Sequence, residues 1–322
     1  MRVLLTGSSG WLGRHLAPRL AALGHEVTGL DVAPGEHTRL IGSVADRAVL
    51  ERVFADRAIE AVIHAGALHK PDIVRYPAQT FVDVNVTGTL NLLEAAVAAG
   101  NDRFVFTSTT SLMISAAIRA GKAGGAREAA WITEDLAPLE PRNIYGVTKL
   151  AAEQLCRLAH IEHGLPVTVL RTGRFFPEDD DMADEIDHDG PNTKANEFLN
   201  RRLTVYDAVE AHVAALDRAP ELGFETFILS APTPFSREDC AALIADAPDV
   251  IERHFPGAGA VYARRGWTLP RHIDRVYVAQ KAERLLGFRC RTGFRQILEA
   301  LDRGEDPPID HDPAYVSPKE RA

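Results

Sequence analysis

Residues 2–13 read RVLLTGSSGWLG: a short apolar run, a glycine turn, and the opening of an amphipathic stretch. An apolar run this short, bounded by turn residues, is a buried strand. Residues 11–24, WLGRHLAPRLAALG, carry helical periodicity and stop at Gly24. Gly7, Gly10 and Gly13 therefore lie at a strand-to-helix turn. There the first glycine permits the tight turn, the second lets backbone approach a pyrophosphate at the helix N-terminus, and the third permits close packing of helix on sheet. The next strand, EVTGLD, ends at Asp31, about 20 residues on, where a carboxylate accepts hydrogen bonds from the ribose hydroxyls of a dinucleotide and repels a 2′-phosphate. Val32, Ala33 and Pro34 offer no arginine to hold such a phosphate. The cofactor expected is NAD rather than NADP.

Further along, strand and helix keep alternating. DRAVLERVFAD reads as a helix, IEAVIHAG as a third strand, AQTFVDVNVTGTLNLLEAAVAAG as one long helix closed by Gly100, RFVFTS as a fourth strand and PVTVLRTG as a fifth. The strands are apolar on both faces, as in a parallel sheet covered by helices. The fold class is therefore α/β, a doubly wound parallel sheet. After Arg174 the pattern loosens, recovering a helix at TVYDAVEAHVAALDRA and a strand at FETFILS. The expected organisation is a cofactor domain of residues 1–174 and 203–229, an interleaved substrate lobe of 175–202 and 230–303, and a loosely packed C-terminal extension, 304–322, rich in Pro and charge.

Composition narrows the partners. With 322 residues, 46% hydrophobic, there is enough chain for a real core. A net charge of -9 argues against a general nucleic-acid or anionic-membrane binder. No apolar run reaches the roughly 20 residues of a membrane span, and the N-terminus has no signal-peptide pattern. Cys156, Cys240 and Cys290 show no metal-ligand spacing, so no metal is expected. Reduced thiols and a cytoplasmic location are expected.

Residues 143–155, NIYGVTKLAAEQL, place Tyr145 and Lys149 four apart at the start of a helix. That spacing puts both side chains on one face, about 5–6 Å apart at Cβ. A free phenol titrates near 10, and a neighbouring ammonium favours the phenolate. The pair thus reads as a general base with its tuner.

Glycine turn and Tyr-x-x-x-Lys together resemble the extended short-chain dehydrogenases/reductases, a group that includes nucleotide-sugar epimerases and dehydratases. The resemblance runs from about Arg2 to Phe288 through VIHAGA, VNVTGTLNLLEAA, FVFTSTTS, ITEDLAP, IYGVTK and RHIDRVYVAQKAERLLGF. It implies a catalytic set of Thr109, Tyr145 and Lys149. It implies cofactor contacts at Gly7, Gly10, Trp11, Leu12, Gly13, Asp31, Val44, Asp46, Ala65, Gly66, Ala67 and Asn85, with Lys149 on the nicotinamide ribose. Trp11 is expected chiefly to pack, Asn85 to support the long helix, and His64 to be structural. The acid that such proteins place on the adenine amine is Ser43 here.

Two absences narrow the chemistry the resemblance implies. The related dehydratases follow the Ser/Thr with an Asp-Glu pair, and here Thr110 and Ser111 follow. Enzymes that invert neighbouring carbons use a Cys at this strand end, and none is near. What remains is 4-epimerisation of a sugar or sugar nucleotide, or simple dehydrogenation. RHID at Arg271 resembles the stretch whose arginine grips a nucleotide diphosphate, and Arg201 sits one residue from the family's second such arginine, which falls on Asn200. RTGRFFP resembles uronate dehydrogenases, with Arg174 placed to pair with a carboxylate or a phosphate. Arg119, Lys122 and Arg127 lie in a stretch that reads either as a lid over an anionic substrate or as an ordinary surface insertion, and the acidic run 178–189 reads as a solvated loop. The leading expectation is an epimerase-type, cytoplasmic homodimer that contacts substrate through Thr110, Ser111, Arg174, Arg201 and Arg271. The rivals are a dehydrogenase of a free sugar acid or other small alcohol, and a catalytically silent NAD-binding protein.

Overall fold

The computed structural model describes residues 1–120, 125–179 and 190–320. The first β-α-β unit forms as its pattern requires. β1 (Arg2–Thr6) enters the glycine turn, α1 (Trp11–Ala22) leaves it, and β2 (Glu26–Asp31) returns parallel to β1 with Leu5 opposite Gly29. Gly24 ends α1 at φ 84°, the left-handed conformation that glycine tolerates.

A two-residue strand, β3 (Leu40–Ile41), escaped the sequence reading because it is shorter than any periodic signal. After it come α2 (Arg47–Arg57) and β4 (Ala61–His64). The helix expected over 78–100 is interrupted. α3 (Ala78–Phe81) runs into a π-helical segment, Val82–Thr87, and only then into α4 (Gly88–Ala98). Next are β5 (Phe104–Thr109), a short α5 (Ala116–Ala120), β6 (Ala130–Ile132), α6 (Ile144–His163) and β7 (Val167–Thr172). α7 (Gly190–Glu197), α8 (Val205–Leu222) and β8 (Phe224–Leu229) complete the main layers.

The seven-stranded sheet has the order β3-β2-β1-β4-β5-β7-β8, all parallel. It is the doubly wound α/β sheet that the alternation predicts. α1 and α8 pack on one face through Leu16, Leu20, Val209 and Leu216. α2, α4 and α6 cover the other through Leu50, Leu92, Leu93 and Ala152. The winding reverses between β1 and β4, and a ligand crevice forms beyond the strand ends at such a point.

A second core gathers around Phe198, Leu199, Tyr262 and Phe294. It is built from α7, then α9 (Cys240–Ala245), α10 (Ala247–His254), α11 (Ala258–Arg264), β9 (Arg275–Tyr277) and α13 (Phe294–Asp302), while α12 (Gln280–Leu286) packs back on the main sheet. β6 pairs with β9 in a small parallel sheet, another feature too short to read in advance. Residues 304–322 were expected to pack loosely. Instead Ile309 joins the second core and Tyr315 to Glu320 lie along the crevice. Their polar composition hid this, because they make ion pairs rather than an apolar stripe. The three cysteines are free. Among the described residues no helix is long and apolar enough to cross a membrane.

Candidate active site

One cleft of about 580 Å³ runs along the switch point from the glycine turn to the second core. Its near wall is built by close backbone approach. A Cβ on Gly7 would meet the Gly66 amide nitrogen at 2.7 Å, and one on Gly13 would meet the Gly7 carbonyl oxygen at 2.1 Å. Only glycine lets these three backbones converge. Gly7, Gly10, Trp11, Leu12, Gly13, Asp31, Val44, Ala65, Gly66 and Ala67 all line the cleft. Asp31 accepts hydrogen bonds from the Ser9 and Ala33 amides, both at 3.1 Å, which fixes its carboxylate at the cleft edge. No lysine or arginine of residues 31–44 lines the cleft beside it. An NAD molecule suits this wall: backbone for a pyrophosphate, and a carboxylate for ribose hydroxyls.

Two expected cofactor contacts are not at the wall. The Asp46 side chain accepts from the Ala48 amide at 3.0 Å and caps α2, while Ser43 and Val44 face the cleft. An aspartate ahead of a helix is captured by that helix's free amides. Asn85 is buried behind the cleft. Its amide bonds the Leu68 N–H and C=O and donates to the Thr148 hydroxyl at 3.1 Å, tying the loop after β4 to α6. It comes from the π-helical segment, a feature frequent at functional sites. His64 hydrogen-bonds Thr6 on β1 and Thr89 on α4, joining sheet to helix in the interior, a structural role as expected.

At mid-cleft, β5 ends in Thr109 and α6 begins with Ile144 and Tyr145. Asn143 caps α6 by accepting from the Gly146 amide at 2.9 Å, which sets Tyr145 in the first turn, facing the strand end. The Thr109 hydroxyl accepts from the Ser111 amide at 3.1 Å and lies beside the Tyr145 phenol, whose anion it favours. Lys149, one turn along, is buried with its ammonium 4.0 Å from the Phe106 ring centroid. The titration of the pair differs from expectation. Burial pushes Tyr145 up to about 12, Thr109 pulls it down, and the Asp72 carboxylate raises it. Burial also lowers Lys149 to about 8, against upward pulls from Cys156 and Glu153. Desolvation outweighs the tuning that spacing alone suggests, because both groups lie in the interior. Glu153 is itself held by Arg171 at 2.7 Å and by the Ser108 hydroxyl at 2.5 Å. His69, absent from the sequence reading, lies with its ring 6.0 Å from that of Tyr145. Burial, then Lys319 and Lys149, hold it neutral.

The far end is cationic. Arg119, Arg142, Arg174, Arg201 and Arg275 all line it, with Thr110 and Ser111. Glu197, on α7, organises three arginines. Its carboxylate lies 3.5 Å from Arg174 and 2.8 Å from both Arg201 and Arg202. Arg271 is not at this wall; it is exposed outside the cleft. The arginine that β9 delivers is Arg275, four residues on, bonded to Asp274 at 2.6 Å. A charged pair, Asp274 and Arg275, in the otherwise apolar run IDRVYV was the available signal. Arg127 is exposed, and Lys122 and residues 180–189 lie outside the described residues. Glu178 and Asp179 do line the cleft.

Comparison with known proteins agrees with this geometry. The model of the NAD dependent epimerase/dehydratase family matches residues 3–225. A UDP-glucose 4-epimerase of Azospirillum brasilense is 34% identical over 179 residues, 53% of this chain and 48% of that protein, so the match spans about half its length. Among solved structures, a short-chain dehydrogenase/reductase superfamily protein from Agrobacterium tumefaciens, with bound NAD, superposes with a TM-score of 0.62 at 24% identity over 94% of this chain and 96% of that one. The UDP-glucose 4-epimerase of Thermotoga maritima, with UDP-glucose, gives 0.64 at 19% identity over 94% and 99%. At these identities the structures establish the fold.

Proposed function

The chain belongs to the NAD dependent epimerase/dehydratase family, and from that membership we propose that it is a 4-epimerase of a nucleotide-linked sugar, with Tyr145 as its proton-transfer group. One observation carries the reading: a threonine–tyrosine pair at mid-cleft, with a dinucleotide wall on one side and five arginines on the other. The residues placed to hold NAD are Gly7, Gly10, Gly13 and Asp31 at one end and Lys149 at the other. When bound, NAD supplies the acceptor and donor of the electron pair at the sugar carbon. Thr109 holds the reacting hydroxyl oxygen, and Tyr145 takes its proton and later returns it. The high pKa of Tyr145 in the buried site suits the return step, in which the phenol acts as acid. For removal, Thr109 is the group that already stabilises its anion. His69, neutral and half-buried, helps keep water from the phenol.

Epimerisation requires the ring to present its other face before the electron pair returns to the sugar carbon. A substrate anchored by a diphosphate on Arg174, Arg201 and their neighbours can turn its ring while staying bound. Relatives named for UDP-glucose support that substrate class. A homodimer accords with the exposed apolar residues on α4 and α6: Leu90, Val147, Leu158 and Ile161. The test is product analysis by NMR with a panel of sugar nucleotides and free sugar acids, following the NADH absorbance band alongside. Interconversion of a sugar-nucleotide pair without NADH accumulation is expected. Steady NADH production from a uronic acid, with no turnover of any sugar nucleotide, would replace the epimerase reading with the dehydrogenase one.

A further inference from the structure

The segment that follows α13 leaves the second core and crosses the mouth of the cleft. The Asp310 carboxylate accepts from the Val205 amide at 3.1 Å, and the Asp312 amide donates to the Pro177 carbonyl at 2.9 Å. Beyond these two ties the chain lines the cleft itself. The Tyr315 ring meets the Trp11 ring edge-on, with centroids 5.2 Å apart, and so rests on the glycine turn. The segment ends in a 3-10 turn, Pro318–Glu320, on the opposite side. There the Lys319 ammonium donates to Asp72 at 2.5 Å and to the Ala67 carbonyl at 3.3 Å, and Glu320 pairs with Arg75 at 2.6 Å.

These contacts join the two loops that flank the switch point, the turn after β1 and the loop after β4. We propose that Tyr315 and Lys319 are part of the cofactor site: they form its outer wall, and residues 315–320 act as a clasp that must open before NAD can exchange. The proposal rests on the reading of the cleft as an NAD site. Lys319 brings a positive charge to the loop after β4, across the cleft from the glycine turn, and α1 opens at that turn with no acidic residue in its first turn. The latch contact is also costly to break. Asp72 is buried, its side chain 2% exposed, so lifting Lys319 leaves a desolvated carboxylate with only the His69 amide at 2.6 Å and the distant Arg75 at 3.9 Å. Such a contact opens as a unit rather than by degrees, and opening is therefore slow. A clasp of this kind suits a reaction that uses the same cofactor molecule at every turnover.

The experiment measures NAD dissociation from the full chain by stopped-flow displacement, monitoring tryptophan fluorescence, for the wild type, Lys319→Met, Tyr315→Ala and Glu320→Gln. Lys319→Met should release NAD at least tenfold faster, Tyr315→Ala several-fold faster, and Glu320→Gln, at a more exposed pair that leaves the fold intact, about threefold faster. Release within twofold of wild type in all three variants would overturn the clasp alone. So would tighter NAD binding in Lys319→Met, which would mark the segment as a plug rather than a wall. A wild-type chain that binds no NAD at all would overturn the cofactor reading itself, and the clasp with it.

Discussion

Gly13→Ala is the sharpest probe of the glycine wall. The new methyl would lie 2.1 Å from the Gly7 carbonyl oxygen and 2.7 Å from the Ser8 Cα. Ordinary contact begins at 3.4 Å, so the turn must retreat by about 1 Å, and what must move is backbone. Overpacking of this kind costs about 1–3 kcal/mol of stability. Gly24→Ala is the matched control. Its methyl meets nothing within 4 Å, and its φ of 84° imposes only backbone strain, about 1–2 kcal/mol. Urea unfolding should therefore show similar losses for the two variants. Calorimetric titration should separate them: Gly13→Ala displaces the amides that face a pyrophosphate and should weaken NAD by at least tenfold, about 1.4 kcal/mol. Gly24→Ala, at the far end of α1, should bind as wild type. NAD binding undiminished in Gly13→Ala, or equally diminished in both, would refute the placement of the dinucleotide.

Asp31→Ala should narrow the preference for NAD over NADP by at least tenfold, measured as the ratio of dissociation constants; an unchanged ratio would remove Asp31 from cofactor selection. Lys149 sits at about 8 in the folded chain and near 10.4 when unfolded. Between those values the unfolded state binds more protons, so its contribution makes stability rise with pH, by at most roughly 3 kcal/mol. The urea midpoint of the wild type should accordingly rise relative to that of Lys149→Met from about pH 8 to about pH 10, and parallel curves would contradict the burial of that charge. Arg271→Ala should leave the sugar-nucleotide KM within about twofold, whereas Arg201→Ala should raise it about tenfold, a loss of roughly 1.4 kcal/mol; the reverse order would reinstate Arg271 at the substrate.

What was legible in the sequence is what a long periodic pattern or a local turn encodes. The glycine turn, the parallel sheet and the first turn of α6 each arise within about 20 residues of contiguous chain, the span of a strand–turn–helix unit. The residues misplaced or missed depend on distant packing. Asp46 could serve the cofactor or cap its own helix, and the nearer amide captured it. Arg271 and Arg275 stand four apart, and only the pairing of β9 with β6 decides which enters the cleft. The spacing of Tyr145 and Lys149 gave their shared face but not their burial, which raises one pKa and lowers the other. Residues 315–320 have the composition of a solvated tail. Their place on Trp11 and Asp72 comes from contacts some 250–300 residues away in sequence.

The central claim is that Tyr145 moves the proton in an otherwise intact NAD site. It is tested most directly by Tyr145→Phe, with turnover of the active sugar nucleotide and the NAD dissociation constant measured on the same preparation. The substitution removes one oxygen from a buried ring and leaves the glycine wall, Lys149 and the arginines in place. The account predicts loss of nearly all turnover with NAD affinity changed by no more than about twofold, under 0.5 kcal/mol. Turnover at the wild-type rate in Tyr145→Phe would contradict it.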